Sequence, residues 1–209
     1  MIGVSLLSSG IDSPVSAYVL SKYVDEMVFL HADGRPFTDE REIENFLTIA
    51  RHLSKLFSCN SSICIIPHGE SLEAFKNAEA HPRFCCVFCK RMMVRYADSY
   101  AKKLGADFIV MGDSLGQVAS QTLSNILVVD EISETPILRP LIGLDKEEII
   151  DIAKSIGTFD LSIQKSAGCL AVPSKPATMA RIEQLDEVEN HILVQDLADR
   201  AINSIQCIE

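Results

Sequence analysis

Hydrophobic positions along the first two thirds of the chain fall in short blocks whose type alternates. Ile2–Leu7 is an apolar run rich in β-branched residues that ends in Ser8-Ser9-Gly10, as a buried strand does. Pro14 suits the first turn of a helix over Val15–Lys22, and Met27–His31 reads as a second strand leading into the loop Asp33–Phe37. Thr38–Arg41 opens a helix that Ile43, Phe46, Leu47, Ile49, Ala50, Leu53 and Leu56 continue at helical spacing. Ile63–Ile66 predicts a third strand and Ser71–Ala78 a short helix. A cysteine-bearing loop, His81–Phe88, precedes an amphipathic helix from Cys89 to Leu104 capped by Gly105. Asp107–Met111 and Pro136–Leu138 supply a fourth and a fifth strand, and Asp145 caps a helix that closes at Gly157. From Ala177 the pattern is helical and acidic, with Glu183, Asp186, Glu187 and Glu189.

Alternation of this kind predicts an α/β fold: a mostly parallel sheet of about five strands with helices on both faces. The domain spans residues 1–175, and 176–209 form a helical C-terminal extension. Such sheets bind ligands beyond the carboxyl ends of their strands, so the loops Ser8–Ser13, His31–Phe37 and Gly112–Gln117 should gather there. The 209 residues suit one such domain. No apolar run approaches the roughly 18 residues of a membrane span, and Met1–Gly10 has no basic segment of a secretory signal, so a cytoplasmic protein is expected. Nineteen basic against 29 acidic residues leave a net charge of −10, with no general attraction to nucleic acid. Lys90, Arg91 and Arg95 can share a helix face that meets a few phosphates, whereas Lys102-Lys103 reads as a solvated face. Seven cysteines without an export signal point to reduced thiols rather than a disulfide framework.

Two constellations carry chemistry. In Ser8-Ser9-Gly10-Ile11-Asp12-Ser13-Pro14, small residues between strand and helix let backbone N–H groups and hydroxyls approach an anion at a helix N-terminus. A polar turn capping a helix explains the same residues as well, and the Lys-Ser/Thr ending of a Walker loop is missing. Cys85-Cys86-Val87-Phe88-Cys89 places a C-x-x-C beside Lys90 and Arg91, and Cys169 stands among small residues in Ala167-Gly168-Cys169-Leu170. Thiolates there could hold zinc, hold an iron–sulfur cluster with one open iron, or react with sulfur. Cys59, Cys64 and Cys207 read as structural or incidental.

The serine-rich loop resembles the Ser-Gly-Gly-x-Asp-Ser loop of the PP-loop ATP pyrophosphatases, with Ser9 at the first glycine position. Gly112-Asp113-Ser114-Leu115-Gly116-Gln117-Val118-Ala119-Ser120-Gln121-Thr122 and Leu138-Arg139-Pro140-Leu141-Ile142-Gly143-Leu144-Asp145-Lys146 resemble the PP-loop domain of the tRNA 4-thiouridine synthetases, the tRNA sulfurtransferases. The resemblance runs over about residues 1–180 and implies an adenine nucleotide alpha hydrolase-like fold. It implies an AMP-forming sulfurtransferase that adenylates a uracil carbonyl and replaces its oxygen with sulfur. ATP would lie against Ser8, Ser9, Gly10, Ile11, Asp12, Ser13, Leu30, His31, Gly112 and Gln117, with Asp12, Asp113 and Cys169 catalytic and Asp113 helping to hold Mg²⁺. Relatives without a rhodanese domain imply a [4Fe–4S] cluster on Cys86, Cys89 and Cys169, with zinc the alternative. The chain matches a stand-alone form, so tRNA would be presented by a separate THUMP-like RNA-binding protein; the sulfur donor is unknown, and homodimerisation is implied too. Two other readings stand beside this one: thiolation in thiamine or other small-molecule biosynthesis, and a non-catalytic nucleotide- or metal-binding subunit.

Overall fold

The computed structural model describes residues 1–208. Strand β1 (Ile2–Leu6) leads into helix α1 (Asp12–Ser21), β2 (Glu26–Asp33) into α2 (Glu40–Leu56), and β3 (Asn60–Pro67) into α3 (Gly69–Asn77). A 3-10 turn at Pro82–Phe84 opens directly into the long helix α4 (Cys85–Leu104), which is followed by β4 (Phe108–Val110). Then come α5 (Leu123–Asp130), β5 (Ile137–Leu138), α6 (Lys146–Ser155) and the short α7 (Phe159–Ser162). The chain ends with α8 (Ile182–Asn190), α9 (Val194–Asn203) and β6 (Gln206–Ile208).

The strands form one sheet in the order β5-β4-β1-β2-β3-β6, parallel except for β6. Residues of β2 alternate between two cores, as the two-residue period of a strand requires. Val28 and Leu30 join Phe88, Met92 and Tyr96 of α4 on one face, while Met27 and Phe29 join Phe46, Ile49 and Leu53 of α2 on the other. After β1 the chain builds outward through β2 and β3, then returns to place β4 on the opposite side of β1. That reversal leaves a crevice at the carboxyl ends of β1 and β4, where loops diverge to either face.

Four features differ from the sequence expectation. A sixth strand closes the sheet: β6 runs antiparallel to β3, with Cys207 opposite Cys64 and bonded to it as a disulfide. Those two thiols are therefore not free. The C-terminal helices are no appendage, because Leu185, Val188, Leu197 and Ala201 belong to the same core as α4. No separate core begins at residue 176. Helix α4 starts at Cys85 rather than Cys89, since the His81 side chain accepts the Arg83 N–H and Pro82 fits the opening of a turn. Helix α5 was hidden in the sequence because Leu123 and Leu127 face solvent, which blurs its periodicity.

Candidate functional site

A cleft of about 290 Å³ opens at the crevice between β1 and β4. Ser8, Gly10 and Ile11 line it from the loop before α1, Asp12 and Ser13 from the first turn of α1, Leu30 and His31 from β2, and Gly112 and Asp113 from the loop after β4. Two loops and a strand, distant in sequence, thus meet at one mouth. The serine loop is tied internally: Ser13 Oγ accepts the Ser8 N–H at 2.9 Å, and Ser8 Oγ accepts the Gly10 N–H at 3.2 Å. Gly112 packs on it so closely that a Cβ would lie 2.6 Å from the Ser13 nitrogen, a fit only glycine allows. Ser9 lies outside the cleft lining; its hydroxyl donates to Glu42 Oε2 at 2.8 Å, and no non-glycine residue has a positive φ among the described residues. A side chain at the first glycine position is thereby accommodated without a strained backbone.

Most charged groups in and around the cleft are paired. Lys146, at the start of α6, donates to Asp12 Oδ1 at 2.5 Å. Lys90 donates to Asp113 Oδ1 at 2.5 Å, Gln121 to the same oxygen at 3.4 Å, and Arg139 to Oδ2 at 2.9 Å. Burial alone would raise the Asp113 carboxyl, but the adjacent cations outweigh it and hold the group below the ordinary carboxylate range. With both oxygens engaged, Asp113 does not fit the expected role of a magnesium ligand; it anchors two cations at the rim. Gln117, expected in the pocket, is exposed and outside the lining, whereas Gln121 is buried and inside it.

Three buried side-chain atoms on cleft-lining residues have no protein partner: His31 Nε2, Thr38 Oγ1 and Gln121 Oε1. His31 Nδ1 lies 3.0 Å from the Leu7 carbonyl, which can only accept. The proton must therefore sit on Nδ1, because burial lowers the imidazole pKa and keeps the ring neutral. Its Nε2 is left as a bare acceptor, and the ring stacks on Phe46 with centroids 4.3 Å apart. Orphaned polar atoms in one pocket are a cost that a polar ligand relieves.

The thiols form a second group. Cys86 and Cys89 stand three residues apart on the first turn of α4, so they share a face. Cys169 is exposed on the strap that crosses from α7 to α8, pinned by Ala167 N–H to Asp39 Oδ2 (3.1 Å) and Leu170 N–H to the Phe37 carbonyl (2.8 Å). Burial raises the pKa of Cys85 to about 12 and raises those of Cys86 and Cys89 as well, and the charge of Cys169 pushes all three further up. Lys90 opposes this at Cys86 and Cys89. Among the described residues no three ligand side chains are gathered closely enough to hold a metal ion, and Cys89 Sγ instead lies 3.1 Å from His68 Nε2. The donor set still fits an iron–sulfur cluster in kind: three soft thiols, Cys86 and Cys89 on the first turn of α4 and Cys169 on the strap.

The basic face expected on α4 is taken up by carboxylates of this chain. Arg91 is 1% exposed and bonded to Glu189, Asp186 and the Val128 carbonyl; Arg95 is bonded to Glu189; and Lys90 is held by Asp113. Lys90, Thr38, Glu42 and Gln121 are cleft residues that sequence spacing did not single out as such, and Lys146 was visible only as the end of the Leu138–Lys146 stretch.

The model of the family described as thiamine biosynthesis protein (ThiI) matches residues 2–194. A Methanobrevibacter smithii protein named "Probable tRNA sulfurtransferase" is 43% identical over 204 residues, 97% of this chain and 53% of that protein. A crystal structure of a 4-thiouridine synthetase–RNA complex with bound ATP superposes with a TM-score of 0.93 at 31% identity, covering 100% of this chain and 55% of the other. The U34-tRNA thiolase NcsA from Methanococcus maripaludis, solved with its [4Fe–4S] cluster, shares the fold at 16% identity, with a TM-score of 0.53 and coverage of 99% and 73%. The chain spans about half the length of the curated relatives it matches.

Proposed function

The chain belongs to the ThiI family, and from that premise we propose that it is the catalytic domain of an ATP-dependent tRNA sulfurtransferase that adenylates a uracil carbonyl oxygen. One observation carries the reading: the serine loop, the β2 end and the Gly112 loop meet in a single cleft that holds orphaned polar atoms. Proteins 35–43% identical to this chain over the aligned residues are named "Probable tRNA sulfurtransferase", and the 4-thiouridine synthetase it superposes on was solved with ATP and RNA.

In this reading the backbone N–H groups of Ile11–Ser13 at the start of α1 face the β- and γ-phosphates, where a helix N-terminus favours negative charge. His31 Nε2 accepts a hydrogen bond from an amino or hydroxyl donor of the adenosine. The uracil carbonyl oxygen attacks the α-phosphorus and pyrophosphate leaves. Lys90, the one lysine or arginine among the lining residues, stabilises charge on the phosphoryl oxygens as its hold on Asp113 loosens. Sulfur then attacks the activated ring carbon, and AMP departs with the former carbonyl oxygen. Mg²⁺ arriving with ATP would neutralise the pyrophosphate. Cys86, Cys89 and Cys169 would hold a [4Fe–4S] cluster, which supplies an open iron for sulfide.

Asp12→Ala removes the partner of Lys146 at the mouth of the phosphate loop, and pyrophosphate release should fall by at least about 100-fold, on the order of 3 kcal/mol of barrier. Full activity in that variant refutes the assignment.

A further inference from the structure

We propose that the cleft between the Pro82–Phe84 turn and the strap around Lys175 binds a phosphodiester of single-stranded RNA, seating the backbone next to the nucleotide that the thiols meet. The inference rests on the thiolation reading above and names where its substrate is held. The cleft measures about 380 Å³, and its polar lining comes from His81, Arg83, Lys175 and Thr178. None of these residues lines the nucleotide cleft.

Arg83 and Lys175 are exposed, and neither is ion-paired among the described residues. Lys90, Arg91, Arg95, Lys102, Arg139 and Lys146 are all paired with carboxylates. Other exposed cations of the chain also lack a carboxylate partner; what sets Arg83 and Lys175 apart is that the turn and the strap bring them to one cleft beside the thiol-bearing segments. The Arg83 guanidinium is braced, lying 4.6 Å from the centroid of the buried Phe84 ring, while His81 sets its own ring edge-on to Phe84 at 6.4 Å. The His81 Nδ1 accepts the Arg83 N–H at 3.2 Å, so the turn itself fixes both residues. A guanidinium held on an aromatic face keeps its N–H fork free for a phosphate and loses little entropy on binding one.

The two walls are also the two segments that carry the thiols. Phe84 immediately precedes the Cys85–Cys89 turn, and Lys175 follows Cys169 along the same strap. The Ala177 N–H donates to the Arg83 carbonyl at 2.9 Å and joins the walls. A strand anchored here passes beside the sulfur site, while ATP occupies a separate cleft.

The test is the salt dependence of binding of a short, mixed-sequence, fluorescently labelled single-stranded RNA to the full chain, compared among wild type, Arg83→Ala/Lys175→Ala and Lys103→Ala. Lys103 is an exposed cation near the opposite end of α4 and serves as control. Loss of the contact to one phosphate should lower the slope of log K against log salt by about 0.7, the value per phosphate for single strands. The control should keep the wild-type slope, and ATP affinity should be the same in all three. The inference is overturned if wild type does not bind the RNA, if the double variant keeps the wild-type slope, or if the double variant loses ATP affinity instead. If the slope falls as expected while Asp12→Ala retains pyrophosphate release, the phosphate site stands and the adenylation reading fails.

Discussion

Glu189 accepts from Arg91 Nε at 2.6 Å and also from Arg95, with its side chain only 7% exposed. Burial pushes its carboxyl up, but hydrogen bonds from the two arginines outweigh that and hold it below its ordinary value of 4.5. A depressed folded pKa means that the unfolded chain binds more protons, so the pair's stabilisation is complete above about pH 4.5 and is lost as pH falls through the folded value. Glu189→Gln removes the buried carboxylate that Arg91 and Arg95 share, leaving Arg91 with the more exposed Asp186 and Glu131, and should destabilise the fold by about 1–3 kcal/mol. Urea denaturation at pH 7 checks the size. The same titration between pH 5 and about pH 3 should show a shallower acid loss in the variant than in wild type, and equal slopes would mean that Glu189 is not depressed. At this scale the sequence was legible where chemistry is local, as in Ser8–Ser13 and Gly112-Asp113. It misled where a partner is remote, because nothing near Arg91 or Arg95 announces Glu189.

Loops, rather than helices, decide whether the cleft is assembled. The Gly112 loop lies against the start of α1 with no room for a side chain, a Cβ falling 2.6–2.9 Å from backbone atoms of Asp12 and Ser13. Gly112→Ala therefore has to move the serine loop itself. Its KM for ATP should rise at least about tenfold, about 1.4 kcal/mol, with much less effect on thermal stability. An unchanged KM measured by pyrophosphate release would show that the two loops are not coupled. Periodicity located the strands that launch these loops, because buried parallel strands read as continuous apolar runs. It missed the helical start of α4 at Cys85, since His81 and Pro82 end a loop by a side-chain cap that no hydrophobic pattern records. That misplacement hid the shared face of Cys86 and Cys89.

Over the whole molecule, strand order fixes the site. The reversal between β1 and β4 puts the serine loop, His31 and Asp113 at one crevice, and α4 runs from the thiols at its first turn through the centre of one core. The C-terminal helices brace that helix through Leu185, Val188 and Glu189, and β6 is fastened to β3 by Cys64–Cys207. The sequence showed a run of acidic helices there, but not that an edge strand returns to the sheet, because three residues carry too little pattern. No helix among the described residues is long and apolar enough to cross a membrane. The decisive measurement follows the oxygen that the proposed chemistry transfers. RNA carrying ¹⁸O at the target uracil carbonyl is thiolated with unlabelled ATP, and the AMP is analysed by mass spectrometry. Adenylation at that carbonyl predicts one ¹⁸O in AMP for each thiouridine formed. Unlabelled AMP alongside thiolated RNA would contradict it.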